Sequence, residues 1–226
     1  MNQKRIGVLL SGCGVKDGTE IHEAVLTLLA LDRAGAVAIC MAPDKDKADV
    51  IDHVTDKTVA QKRNVLTESA RIARGNISNL KDVDPELLDG LVIPGGFGAA
   101  KNLCNFATEG EKCVVDPEVT TLLRALHGQH KPIAALCIAP TVLAAVFGQD
   151  LHPTLTIGAD PETAAKIEKM GAKHEPVEPT QIVIDTENGF VTTPCYMSAQ
   201  SIDEIATGTE KAVNAMLSLC RIHAEV

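Results

Sequence analysis

The chain has 226 residues, of which 45% are apolar, 2% aromatic and none Trp, and its net charge is −9. That length suits one α/β domain over 1–226 with a sizeable aliphatic core. So few aromatic rings and no basic cluster exclude base-stacking and phosphate-tracking surfaces, so no nucleic acid partner is expected.

In chain order, Arg5–Ser11 reads as a buried strand, Thr19–Arg33 as an amphipathic helix ended by Gly35, and Ala36–Met41 as a second strand. The polar stretch Asp44–Lys62 reads as an excursion beyond the core. Val65–Arg74 has helical spacing, and Gly90–Pro94 is an apolar strand closed by Gly95-Gly96. Gly98–Asp116 reads as a long loop, of the length at which a functional segment is suspected. Pro117–His130 is helical, Pro132–Leu136 is a strand, and Thr141–Phe147 is a helix that follows it at once. Thr154–Ile157 reads as a short strand and Pro161–Met170 as a helix capped by Asp160. Gln181–Asp185 and Gly189–Thr193 flank Glu187-Asn188 as a hairpin. Ser201–Ala224 closes the chain as a long helix, with Ser201 and Glu204 forming a capping box.

Strands that are apolar throughout are buried on both faces, which predicts a mostly parallel sheet with helices on either side. In such a sheet the ligand site lies at the carboxyl ends of the strands. Three features fall there: Ser11-Gly12-Cys13-Gly14, Gly95-Gly96-Phe97-Gly98, and the residue after Leu136. No apolar run approaches the roughly 20 residues that cross a bilayer, and the run Ile6–Leu10 is too short for a secretory signal. No membrane partner is expected, and the location is read as cytoplasmic.

The seven cysteines, at 13, 40, 104, 113, 137, 195 and 220, are odd in number and contain no C-x-x-C pair. That suits a reducing compartment and predicts neither a disulfide framework nor a metal site. Cys104 and Cys113 read either as a redox pair or, with more weight, as separate thiols in a lid-like segment, and Thr193-Pro194-Cys195-Tyr196 as packing near a pocket mouth.

Cys137 differs, because it stands at an abrupt strand-to-helix junction with Pro140 near the first helical turn. Such an elbow lifts a nucleophile above the sheet, and the helix N-terminus beyond it would acidify the thiol. From periodicity alone, a buried structural cysteine fits equally well. The paired glycines Gly95-Gly96 fit either an oxyanion loop or a tight turn. Glu20, read by itself, is a favourable charge in a first helical turn.

Taken together, Ile6–Gly12 with Gly18-Thr19-Glu20, the segment P-G-G-F-G and the elbow A-A-L-C-I-A-P-T resemble the DJ-1/PfpI superfamily of class I glutamine amidotransferase-like folds. The strings SGCGVKDGTEIHEAV, IPGGFGAAKNL and GFVTTPCYM are similar to its enhancing-lycopene-biosynthesis subfamily, described as glyoxalases. The resemblance implies a three-layer sandwich with a mostly parallel, flavodoxin-like central sheet, and a homodimer. It implies Cys137 as nucleophile, Glu20 as the carboxyl group against its sulfur, and the amides of Gly96, Phe97 and Ile138 as oxyanion donors. The implied activity is a cofactor-independent conversion of small 1,2-dicarbonyls, glyoxal or methylglyoxal, to 2-hydroxy acids. A non-catalytic redox-sensing or binding protein of isoprenoid metabolism is the alternative. No histidine matches the family's partner for the cysteine: Ile138 follows Cys137, His152 precedes its strand, His22 points to another helix face than Glu20, and His223 stands alone near the chain's end. That absence implies slow turnover.

Overall fold

The computed structural model describes residues 3–222. The elements run β1 (Arg5–Leu9), α1 (Ile21–Arg33), β2 (Val37–Ala42), β3 (Ile51–Asp52), β4 (Lys57–Thr58), α2 (Val65–Ile72), β5 (Ser78–Asn79) and β6 (Gly90–Ile93). They continue through α3 (Phe97–Lys101), α4 (Phe106–Glu109), α5 (Pro117–Gly128), β7 (Ile133–Leu136), α6 (Pro140–Leu151) and β8 (Thr154–Leu155). The last are α7 (Pro161–Lys169), β9 (Lys173–His174), β10 (Val183–Asp185), β11 (Phe190–Thr193) and α8 (Ile202–Ile222).

Seven strands form the central sheet in the order β10-β11-β7-β6-β1-β2-β5. All neighbours are parallel except the β10–β11 hairpin. Alternate residues of each inner strand feed opposite faces, which is why the strand sequences show no polar alternation. Val8, Val92 and Ala134 join Leu31, Ile205, Val213 and Met216 under α1 and α8. Leu9, Leu91, Ile93 and Ile133 join Leu123, Leu126, Leu143 and Phe147 under α5 and α6. The fold is thus a three-layer α/β sandwich, as the pattern of elements predicts. The order reverses between β1 and β6, so the carboxyl ends of β1, β6 and β7 meet at the switch point where sheets of this kind bind ligands.

Several boundaries differ from expectation for local reasons. Gly98–Asp116 is no plain loop, because α3, α4 and a 3-10 turn at Gly110–Lys112 fill most of it. Asp44–Lys62 carries the antiparallel β3–β4 hairpin. Thr154–Ile157 is a strand only at Thr154–Leu155, where it pairs in parallel with β9 outside the main sheet. α6 runs past Phe147 to Leu151, and His152 ends it in the left-handed region at φ 48°. At α8, Ser201 Oγ accepts the Glu204 amide at 3.2 Å and Glu204 returns a bond to the Gln200 amide at 2.7 Å. The expected helical residues His223 and Ala224 lie outside the described residues.

Candidate active site

Only three residues separate the end of β7 at Leu136 from the start of α6 at Pro140. Reversing the chain in that space forces Cys137 into the left-handed region, φ 59°. For a residue with a Cβ this costs on the order of 1–3 kcal/mol and persists only where neighbours fix it. Here the Cys137 amide donates to the Thr193 carbonyl at 3.0 Å, and the Ala139 amide donates to the Leu136 carbonyl at 2.9 Å. The elbow expected from the sequence is therefore present, and Cys137 is a buried residue, 7% exposed, at the carboxyl end of β7.

Glu23 is the carboxyl group against that sulfur, one helical turn beyond the residue the sequence suggested. Its Oε2 accepts the Gly95 amide at 2.8 Å and its Oε1 the Tyr196 amide at 3.3 Å, and the Cys137 thiol donates to it as well. Glu20 occupies the N-cap of α1 and folds back so that its Oε2 accepts the Glu23 amide at 2.8 Å. A capping side chain is committed to its own helix, so the reaching acid has to come from the first turn inside it. Gly95 makes the meeting possible. A Cβ there would lie 2.4 Å from Cys137 Cβ and 2.8 Å from Glu23 Oε2.

The electrostatics follow from this enclosure. Complete burial of Glu23, then the charge of Glu20, push its pKa from 4.5 up to about 8, against three hydrogen bonds that favour the carboxylate. At neutral pH the resting group is a carboxylic acid. Burial, and after it the charge of Glu23, raise the Cys137 thiol well above its ordinary value, and the Gly96 amide facing the sulfur opposes this only in part. The acidified thiolate expected from the helix N-terminus is not the resting species. Desolvation outweighs the helix dipole.

Of the three expected oxyanion donors, two remain available. Gly96, at φ 92°, aims its amide at the sulfur, and a Cβ there would come within 2.4 Å of the Glu20 nitrogen. The Ile138 amide donates to no group among the described residues. Phe97 is a correction, because its amide is committed to the Val15 carbonyl at 2.8 Å. That bond helps stitch the β1–α1 loop to the glycine segment, along with Glu20 N–H to Gly95 O at 2.9 Å and Gly98 N–H to Gly18 O at 2.9 Å. Beneath the loop a buried ion pair, Lys47 Nζ to Asp17 Oδ1 at 2.8 Å, holds it in place.

No histidine among the described residues is hydrogen-bonded to Cys137. His22 Nδ1 lies 2.8 Å from the Tyr196 hydroxyl, and His152 Nδ1 lies 2.8 Å from the Gly171 carbonyl. Cys195, in the turn after β11, is fully buried at φ 44°, with Sγ 3.6 Å from Thr209 Oγ1 and its thiol raised by burial and by Glu23. Glu23 and the Tyr196 amide are the site components that sequence reasoning missed. The four-residue string E-I-H-E, a cap followed by an acid at the third helical position, is the signal that carries Glu23. Among the described residues no cluster of three or more His, Cys, Asp or Glu side chains is arranged to hold a metal ion.

Residues 14–193 match the profile of the DJ-1/PfpI family. The chain is 42% identical to the rat (Rattus norvegicus) protein described as "ES1 protein homolog, mitochondrial", over 95% of this chain and 84% of the relative. It is also 42% identical to the human (Homo sapiens) "Glutamine amidotransferase-like class 1 domain-containing protein 3, mitochondrial", over 95% of this chain and 83% of that protein. A solved structure of an isoprenoid biosynthesis protein with an amidotransferase-like domain, from Ehrlichia chaffeensis, superposes with a TM-score of 0.89 at 36% identity. That superposition covers 95% of this chain and 99% of the other. Among the described residues no helix is long and apolar enough to cross a membrane.

Proposed function

Because the chain belongs to the DJ-1/PfpI family, we propose that it is a glutathione-independent glyoxalase acting on small 1,2-dicarbonyls without metal or cofactor. The observation that carries this reading is the contact between a strained elbow thiol, Cys137, and a buried acid, Glu23, whose pKa of about 8 allows it to take and return protons near neutrality. An aldehyde entering above Cys137 places its oxygen toward the amides of Gly96 and Ile138.

The reaction begins from the minor form in which Glu23 is a carboxylate. The Cys137 sulfur bonds to the aldehyde carbon while its proton passes to Glu23 and on to the aldehyde oxygen, giving a hemithioacetal. Glu23, again a carboxylate, removes the C–H proton from that carbon and delivers it to the neighbouring former carbonyl carbon through an enediol. The first carbon is thereby oxidised to a thioester and the second reduced to a carbinol. Water cleaves the thioester, releasing the 2-hydroxy acid and restoring the thiol. With only one proton-transfer group at the sulfur, turnover is slow, since each such partner contributes roughly 10²–10⁴-fold.

Glyoxal and methylglyoxal consumption by the purified chain tests this reading. The Cys137→Ala variant loses the activity to background, and Glu23→Gln lowers it by about 10²–10⁴-fold. In the unaltered protein kcat/KM rises with pH and levels off above about 8, because the base form of Glu23 is required. Full dicarbonyl consumption by Cys137→Ala refutes the mechanism. A place beside isoprenoid metabolism belongs to the same proposal, supported by the description of the Ehrlichia chaffeensis protein at 36% identity. So does cytoplasmic residence, supported by the free thiols among the described residues, which suit a reducing compartment.

A further inference from the structure

Of the two readings the sequence allows for Cys104 and Cys113, the path of the chain favours a pair. The chain leaves α3, passes Cys104, makes the short helix α4 and the turn at Gly110–Lys112, and returns beside itself. Cys104 forms an antiparallel bridge with Val115. Around it, the Asn105 amide donates to the Val114 carbonyl at 3.2 Å, the Val114 amide to Asn105 Oδ1 at 2.6 Å, and the Asp116 amide to the Leu103 carbonyl at 2.9 Å. Counting back two residues from Val115 puts Cys113 on the same face as Cys104, on the diagonal of the pair. The two thiols are close enough for each to shift the other's proton affinity.

Their surroundings divide the labour between them. Cys113 is half-buried and open to a small oxidant, whereas Cys104 is 5% exposed and sits behind it with its thiol directed at the Ala99 carbonyl, 3.3 Å away. The neighbouring Cys104 thiol, followed by the amide of Cys113 itself, lowers the Cys113 thiol below its ordinary value. The other half-buried cysteine, Cys13, is instead raised by burial and by Glu68, and Cys137 is raised well above the usual range. Thiolate character and exposure govern oxidation by peroxide. Both favour Cys113.

We propose that Cys104 and Cys113 form a redox-active dithiol that hydrogen peroxide converts reversibly to a disulfide, at a site separate from Cys137. The Cys113 thiolate attacks one peroxide oxygen, breaking the O–O bond, becoming a sulfenic acid and, with one proton, releasing one water. The Cys104 sulfur then displaces the hydroxyl group, which leaves as a second water with the remaining proton. Two thiols and one peroxide thus give one disulfide and two waters, and a dithiol reductant reverses the change. The bridge would close a short ring over α4, locking the segment that extends from the glycine loop beneath the site.

The full-length protein is reduced, treated with about one equivalent of hydrogen peroxide, alkylated in denaturant and digested with trypsin without reductant. Cleavage after Lys101, Lys112 and Arg124 separates the two cysteines onto different peptides, 102–112 and 113–124. Mass spectrometry then finds these peptides joined, two hydrogens lighter than their sum, and separated again by dithiothreitol. Cys137 remains alkylated as a free thiol. In Cys104→Ser the joined species vanishes and dimedone traps a sulfenic acid at Cys113. In Cys113→Ser neither product forms. Mapping on the unaltered chain decides the matter even where a variant fails to fold. Sulfinic acid at either residue without cross-linking, or both thiols still free once Cys13 or Cys137 has reacted, overturns the proposal.

Discussion

Raising the pH from 5 to 8 weakens this fold through Glu23, and replacing that residue by Gln removes the effect. A buried acid whose folded pKa lies above its unfolded one binds more protons in the native state between the two values, so stability falls as pH rises. For Glu23 the values are 4.5 and about 8. The full penalty of ionising the group in place is on the order of 5 kcal/mol, and about 3–4 kcal/mol of it develops between pH 5 and 8. Glu23→Gln keeps the side-chain volume but leaves one of the two facing amides, Gly95 or Tyr196, opposite an NH₂ group. That mismatch costs about 1–3 kcal/mol at every pH and so shifts the variant's curve without tilting it. Urea unfolding at half-unit pH steps from 5 to 9 measures the difference between the two proteins, in which all other titrating groups cancel. The unaltered chain loses about 3–4 kcal/mol relative to Glu23→Gln by pH 8 and little more beyond pH 9. Parallel curves across the whole range would refute the assignment of a raised pKa to Glu23, and with it the proton-transfer role.

Glu20→Gln keeps an oxygen that can cap α1 while deleting the charge that helps hold Glu23 protonated. Activity survives within about tenfold, and the inflection of the pH–rate profile moves to lower pH; loss of all activity would return the catalytic role to Glu20. Gly95→Ala drives a methyl group into Cys137 Cβ and Glu23 Oε2. It lowers dicarbonyl turnover at least tenfold and costs about 1–3 kcal/mol in thermal or urea unfolding; wild-type kinetics in that variant would mean the pair is not in contact. Lys47→Met leaves Asp17, buried within the β1–α1 loop, without its cation, with side-chain exposures of 1% and 3% in the intact pair. Unfolding experiments then register a loss of about 3–5 kcal/mol, and a loss below 1 kcal/mol would show the pair to be dispensable.

The parts of this structure that follow from composition and periodicity were legible in the sequence. The apolar runs at Ile6–Leu10, Gly90–Ile93 and Ile133–Leu136 announce a buried parallel sheet, and the candidate site is the one at which three of their ends converge. The two-residue strands β3, β4 and β9 and the four-residue α4 were not legible, because they carry neither a continuous apolar run nor enough residues to show a period. The carboxyl partner of Cys137 was misplaced for a different reason. Whether the first acid of E-I-H-E caps the helix or reaches the sulfur depends on where the helix begins, and boundaries are the least determined feature of a sequence. The Phe97 amide was likewise assigned to the oxyanion because its partner, the Val15 carbonyl, comes from a loop 82 residues earlier whose path no local pattern describes.

The pairing of a neutral acid with a protonated thiol suits the proposed chemistry better than a standing ion pair would. A thiolate held beside a cation is a nucleophile at all times and therefore open to peroxide. Cys137, raised by burial and by Glu23, is a poor nucleophile until its proton has somewhere to go. Glu23 supplies that place only in the fraction of molecules where it is ionised, about a tenth at neutral pH for a pKa near 8. In the proposed reaction, slow turnover and resistance to oxidation would both follow from one arrangement, burial of both groups against Gly95. An imidazole added beside the sulfur would raise the rate and the oxidation sensitivity together. The Cys113 thiol, which is lowered, lies outside that enclosure. If peroxide reached Cys137 before Cys113, the thiol at the elbow would have to be ionised at rest, and the raised values of both Cys137 and Glu23 would be wrong together.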